Sequence, residues 1–171
     1  MKTLNYSRPS PPYPSLPLVS AGAGNKSNPG AQRRKTGSRQ PKPMGQRGHR
    51  ILVIDDDPSS LELFSCLLED SGYILLLSSN GAEGLAIARF QRPALIICDI
   101  RLPKLSGEEI VHYLKADPVL RWTPVVAVTA FGTEREREHY LAKGFDGYLT
   151  KPIEPGLFVG QIANILNQVR H

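Results

Sequence analysis

From Arg50 onward, short runs of consecutive apolar residues alternate with longer segments whose apolar positions recur three and four residues apart. The first pattern belongs to strands buried on both faces, the second to helices with one buried face. The clearest run is Leu95-Ile96-Ile97-Cys98, which ends abruptly in the carboxylate of Asp99. Comparable runs predict strands over 50–55, 73–77, 124–129 and 147–150. A helix is predicted over 58–70, with Leu61, Phe64, Leu67 and Leu68 on one face. A second runs from 82 to about 90, where Leu85, Ala86 and Ala88 make a small-residue packing face. A third spans 106–116, with Ile110, Val111 and Leu114 facing inward. Two more are predicted over 133–143 and 153–169, the last burying Leu157, Ile162, Ile165 and Leu166.

The boundaries carry their own chemistry. Asp57 can cap the first helix, and Pro58 lacks the donor that a first helical position leaves unpaired. Gly72 and Gly144 suit helix ends, Pro93 stops the second helix, and Thr133 can cap the fourth. Five strands with intervening helices imply an α/β fold: one parallel sheet, right-handed crossovers and helices on both faces.

Charge divides the chain. Residues 1–50 hold ten Lys or Arg and no acid, whereas the remainder carries 11 basic residues against all 16 acids. The first part also has 8 of the 15 prolines and no sustained apolar period. Such a segment buries too little apolar surface to offset the entropy of ordering, so residues 1–48 are expected to be a disordered basic tail and 49–171 the folded domain. Arg33-Arg34-Lys35 could touch nucleic acid without specificity, although a solvated tail is the plainer reading. Met44 lies six residues before the first strand, which leaves open a later start of translation. The tail's acid-free composition fits an organelle transit peptide, but its clustered prolines spoil an amphipathic helix. Cys66 and Cys98 sit in apolar runs as core thiols would, with neither zinc nor disulfide spacing, and a reducing cytoplasm is the expected location. No run approaches the roughly 18 apolar residues of a membrane span.

A parallel sheet brings the carboxyl ends of its strands to one edge, where ligands bind. Asp55-Asp56-Asp57 follow the first strand, Asp99 ends the third, Thr129 ends the fourth and Lys151 follows the fifth. Taken singly each has a plain explanation: a solvated acidic turn, a helix cap, a strand threonine, an exposed lysine before proline. Together they place three carboxylates and one lysine at a single edge. Three carboxylates at close range raise each other's pKa unless a cation joins them. A divalent ion with oxygen ligands answers this, and magnesium typically takes one or two carboxylates and keeps waters.

Asp55-Asp56, Asp99 followed by Leu102-Pro103 and Gly107, Val128-Thr129-Ala130, and Tyr148-Leu149-Thr150-Lys151-Pro152 resemble the motif set of bacterial two-component receiver domains, in order and spacing, over about residues 49–170. The resemblance implies a flavodoxin-like, doubly wound five-stranded sheet of order 2-1-3-4-5. It implies that Asp99 accepts a phosphoryl group from the phosphohistidine of a sensor histidine kinase or a histidine phosphotransfer protein. Magnesium would be held directly by Asp56 and largely through water by Asp55, with Asp99 and the Arg101 backbone carbonyl as further ligands. Lys151 would pair with Asp99 and then with a phosphoryl oxygen. Thr129 would bond the attached group, Tyr148 would be the aromatic switch, and the Lys151–Pro152 bond would be cis.

The resemblance also implies a regulatory phosphoacceptor rather than a conventional enzyme, signalling through partner binding or phosphorelay. With nothing after the last helix, a stand-alone receiver is expected. A haloacid-dehalogenase-like phosphatase also uses an aspartyl nucleophile and magnesium, but there the nucleophile follows the first strand in an Asp-x-Asp-Gly-Thr-like motif, and here Pro58-Ser59 follow the acids. A dinucleotide-binding relative would need GxGxxG after the first strand, which is absent. Arg101 and Phe131 are bulky neighbours of the acceptor and are expected to slow hydrolysis of an acyl phosphate. His49, His112, His139 and His171 have no ligand spacing, and Glu134-Arg135-Glu136-Arg137-Glu138 reads as a solvated helix face that could meet a partner.

Overall fold

The computed structural model describes residues 48–130 and 132–168. The expectations for the basic tail before Gly48, for Phe131 and for His171 lie outside these residues. Five strands and five helices alternate: β1 (Arg50–Ile54), α1 (Pro58–Glu69), β2 (Ile74–Ser78), α2 (Gly81–Gln91), β3 (Leu95–Asp99), α3 (Gly107–Ala116), β4 (Val125–Thr129), α4 (Glu134–Ala142), β5 (Gly147–Thr150) and α5 (Pro155–Gln168). All adjacent strands pair in parallel, in the order β2-β1-β3-β4-β5. This is the flavodoxin-like arrangement that the sequence implies, with element ends within two residues of those expected.

The central strands form the core because both their faces are covered. Ile51 to Ile54, Leu95 to Cys98 and Val125 to Val128 are all buried. On one face Ile51, Val53, Leu95, Ile97, Val126 and Val128 pack with Phe64 and Leu68 of α1 and with Phe158, Ile162 and Leu166 of α5. The Phe64 and Phe158 rings lie 5.4 Å apart, joining the two helices. Each fully buried side chain of this kind contributes about 1.5–3 kcal/mol by leaving water.

The helix ends use the caps their residues suggest. The Asp57 carboxylate accepts from the backbone N–H groups of Ser59 and Ser60 at the start of α1. Ser106 with Glu109, and Thr133 with Glu136, close capping boxes on α3 and α4. Gly72 and Gly144 take positive φ just past α1 and α4.

Two expectations fail on helical phase. Leu157 is 60 % exposed, because the buried stripe of α5 passes through Phe158, Ile162 and Leu166, and Leu157 is turned about 100° from it. Cys66 is likewise exposed: it stands two residues from both Phe64 and Leu68, half a turn away from the face they bury. Cys98 is buried as expected.

Chain order reverses between β1 and β3, since β2 lies on one side of β1 and β3 on the other. Such a switch point opens a crevice at the strand carboxyl ends, and Asp55 and Asp99 flank it. Gly107 holds the exit from β3 tight. Its N–H donates to the Ile100 carbonyl at 3.0 Å, and a Cβ there would meet the Asp99 carbonyl oxygen at 2.6 Å. Those are backbone atoms that cannot swing aside. Gly107→Ala is therefore expected to cost about 1–3 kcal/mol, read as a lower urea midpoint at unchanged slope. An unaltered midpoint would refute this close approach.

Candidate functional site

The four candidate strand ends converge as the parallel sheet requires. Lys151 Nζ donates to Asp55 Oδ2 at 2.9 Å and to Asp99 Oδ2 at 2.7 Å, so one ammonium joins the end of β5 to the ends of β1 and β3. Its own backbone is fixed by an N–H bond to the Thr129 carbonyl at 2.8 Å. Asp99 Oδ1 accepts the Arg101 N–H at 2.8 Å, and Asp55 Oδ1 accepts the Asp57 N–H at 2.9 Å. Asp55 and Asp99 are thus each held at both oxygens.

Asp56 is exposed beside them, and carboxylate oxygens from Asp55, Asp56 and Asp99 all lie within 4.8 Å of one another. Thr129 is buried at the end of β4, next to β3, where Asp99 is in register with Val128. Three acids, one lysine and one hydroxyl-bearing residue therefore surround a single crevice mouth.

Burial dominates the electrostatics of Asp55 and pushes its carboxyl above the usual range, although bonds from Lys151 and the Asp57 N–H pull the other way. Burial also works against the charge on Lys151, but its bonds to Asp99 and Asp55 outweigh it and raise its pKa. Cys98 lies under the site. Burial first, then the neighbouring Asp99 and Asp55 carboxylates, push its thiol pKa upward and keep it an inert core residue. The site is consequently electron-rich and acceptor-rich, with a fixed cation on one side and an exposed acid on the other. Such a set of hard oxygen donors suits a divalent cation.

The sequence model of the response regulator receiver domain matches residues 51–163. The chain belongs to that family. A polar-differentiation response regulator, DivK of Brucella anthropi, is 40 % identical over 116 residues, covering 68 % of this chain and 94 % of that protein. The chemotaxis response regulator CheY4 of Vibrio cholerae superposes with a TM-score of 0.66 at 27 % identity, over 69 % of this chain and 98 % of CheY4. The receiver domain of a sensor histidine kinase from Pseudomonas aeruginosa superposes with a TM-score of 0.63 at 29 % identity, over 72 % of this chain and 99 % of that one. That domain carries a magnesium ion coordinated in its active-site cleft.

Within this receiver domain Tyr148 is partly buried on β5, paired with Ala127 of β4. Its hydroxyl lies 3.3 Å from the position a Cβ on Gly132 would take, so it reaches the loop that follows Thr129. The Lys151–Pro152 bond is cis. The charged run of α4 is solvent-facing, with Arg137 paired to Glu134 at 2.8 Å, as the sequence suggests.

Sequence reasoning missed four contacts. It paired Lys151 with Asp99 but did not foresee the second bond to Asp55. It gave His139 no partner, yet His139 Nε2 lies 2.9 Å from Glu108 Oε1, and Lys143 Nζ lies 3.1 Å from Glu108 Oε2, tying α4 to α3. Nor did it foresee that the Tyr140 and Tyr148 rings stack at 6.4 Å. Capping signals marked the helices, but nothing in a linear pattern states which helix faces meet.

In metal-free buffer the pH dependence follows from Asp55. A carboxyl raised in the folded state gives a stability contribution that is complete below its ordinary value of 3.8 and is lost as pH rises through the folded value. Lys151→Met removes an interaction that restrains this rise, so the decline should deepen and extend to higher pH. Urea midpoints measured in chelator from acidic to neutral pH should fall more steeply in the variant; parallel profiles would contradict this account of the pair.

Proposed function

We propose that the chain is a phosphoacceptor of two-component signalling, with Asp99 receiving the phosphoryl group. The observation that carries this reading is Asp99 at the end of β3, fixed by Lys151 at 2.7 Å inside a cluster of three carboxylates. The receiver domain is assigned to residues 49–171, a boundary supported by β1 beginning at Arg50 and the family match beginning at 51.

The donor set fits magnesium. On the family resemblance, Asp56, which is exposed, and Asp99 would hold it directly, and Asp55 mainly through water. The Arg101 carbonyl is assigned as a further ligand on the family resemblance. The bound ion supplies positive charge to the phosphoryl oxygens.

The chain's own residues do the rest. An Asp99 oxygen forms a bond to phosphorus as the P–N bond of the partner's phosphohistidine breaks, and the electron pair leaves with the imidazole. Lys151 passes from pairing Asp99 to pairing a phosphoryl oxygen, so no charge is left without a partner. The added group brings extra negative charge and acceptor oxygens. Thr129, on the neighbouring strand end, donates its hydroxyl to one of them. The loop after Thr129 is drawn in with it, and Tyr148, whose hydroxyl reaches that loop, turns inward. A change from about 1:99 to 99:1 in the switched form needs roughly 5.5 kcal/mol, within reach of a few charge-assisted bonds.

The partners on this reading are a histidine kinase or histidine phosphotransfer protein upstream and a protein that recognises the phosphorylated surface downstream. Among the described residues no helix is long and apolar enough to cross a membrane. A cytoplasmic setting is inferred from the kind of phosphodonor.

Incubation with a small acyl phosphate and magnesium should label the wild type and leave Asp99→Asn unlabelled, with loss of label on chelation. Label that survives the substitution would remove Asp99 from its role. Arg101, exposed and bonded through its N–H to Asp99, is assigned as a shield against water. Arg101→Ala should shorten the lifetime of the phosphoprotein several-fold, and an unchanged lifetime would dismiss the shield.

A further inference from the structure

The chain's outer strand β2 is built unlike a protected sheet edge. Ile74 is 51 % exposed and Leu77 is 42 % exposed, while Leu75 and Leu76 between them are only partly buried. Leu63 on α1 adds a further exposed leucine, 37 % accessible. The strand carries no charge, proline or glycine from Tyr73 to Ser78. Natural sheets commonly guard an open edge with lysine, proline or a bulge, because unpaired N–H and C=O groups there accept a further strand.

The backbone phase identifies which groups face outward. The Ile74 N–H donates to the His49 carbonyl, and the Ser78 carbonyl accepts the Asp55 N–H, so residues 74 and 78 point their hydrogen-bonding groups toward β1. By the two-residue period of a strand, Leu75 and Leu77 point theirs away from the sheet. Of the two-fold antiparallel registers open to this edge, the one centred on Leu76 pairs the whole of β2 (Ile74–Ser78) with its own copy. A two-fold axis through Leu76 sets Leu75 opposite the second copy's Leu77, and Leu77 opposite its Leu75, for four backbone bonds.

Charge complementarity favours that register. Arg50 is exposed and in register with Ile74, so both project from the same face of the sheet. Ser78 shares this face with its register partner Ile54, and the 2.5 Å approach of Ile54 to a Cβ placed on Gly84 puts α2 there too. The Ser78 hydroxyl donates to Glu83 Oε2 at 2.9 Å, which anchors an acid beside the strand's end. The two-fold sets Ile74 opposite the second copy's Ser78, and thereby brings Arg50 alongside the second copy's Glu83, twice over. On the other face Leu75, Leu77 and Leu63 of both copies form one leucine cluster.

We propose that β2 is a homodimerisation edge, joining two receiver domains into a continuous ten-stranded sheet with antiparallel pairing at its centre. The surface is separate from the phosphoacceptor site, so the proposal stands or falls independently of that role.

Sedimentation of the full chain should give twice the chain mass at micromolar concentration, and Leu77→Lys should give the single-chain mass with an unchanged circular dichroism spectrum. Arg50→Glu should weaken association by about tenfold, since symmetry applies the reversal twice, and adding Glu83→Arg should recover it. Leu76→Cys in a Cys66→Ser background should cross-link under oxidation, because residues facing each other across the axis lie about 4.5–5.5 Å apart at Cα, within disulfide reach. A wild-type monomer, a dimer indifferent to Leu77→Lys, an open-ended polymer, or a dimer that does not cross-link at residue 76 would each overturn the proposal.

Discussion

The Lys151 ammonium is the tie on which the site depends. Asp55 is almost fully removed from water, and a buried carboxylate next to a second carboxylate is unfavourable unless a cation accompanies them. Lys151 meets both, at 2.9 and 2.7 Å, and its backbone is anchored to the end of β4. The tie is possible only because β5, β4, β3 and β1 all present their carboxyl ends at one edge. Sheet topology and site electrostatics are therefore one constraint: move any of these strands by two residues and the lysine loses a partner while a buried acid loses its counter-charge.

That constraint explains what could be read from the sequence. Buried parallel strands need apolar residues on both faces, so the runs at 51–54, 95–98 and 125–128 stand out without any knowledge of the fold, and a run that ends in a charged residue marks the crevice side. Capping residues at Asp57 and Thr133 gave the starts of α1 and α4 to within a residue, because each satisfies a local backbone donor. Local chemistry of this kind needs no tertiary information.

The failures have the opposite character. Leu157 and Cys66 lie in apolar surroundings along the chain but on the wrong side of their helices, and only the position of the sheet decides which side is inward. Tyr140 contacts Tyr148 and Phe145, and Glu108 contacts His139 and Lys143, through pairings between elements that are separated in sequence. The residues of β2 alone do not show its exposure either: Ile74-Leu75-Leu76-Leu77 has the apolar density of a central strand, and only the sheet order makes it an edge.

The uneven attachment of the helices bears on how a change at the strand ends would spread. α1 and α5 are pinned to the sheet by fully buried Phe64, Leu68, Phe158 and Ile162, so displacing either would open cavities in the core. α4 buries only Tyr140 among its nine residues and is otherwise tied by ion pairs to Glu108, with the Tyr140 ring stacked on Tyr148 and meeting Phe145 edge-on. Exposed ion pairs are weak ties in water, each worth well under about 1 kcal/mol. A movement of Tyr148 therefore reaches α4 through the stacked Tyr140 ring at small cost, while the same disturbance meets a rigid core at α1 and α5. α4 and β5 form the part of this domain least committed to the core, so a displacement there costs the fold less than one at α1 or α5.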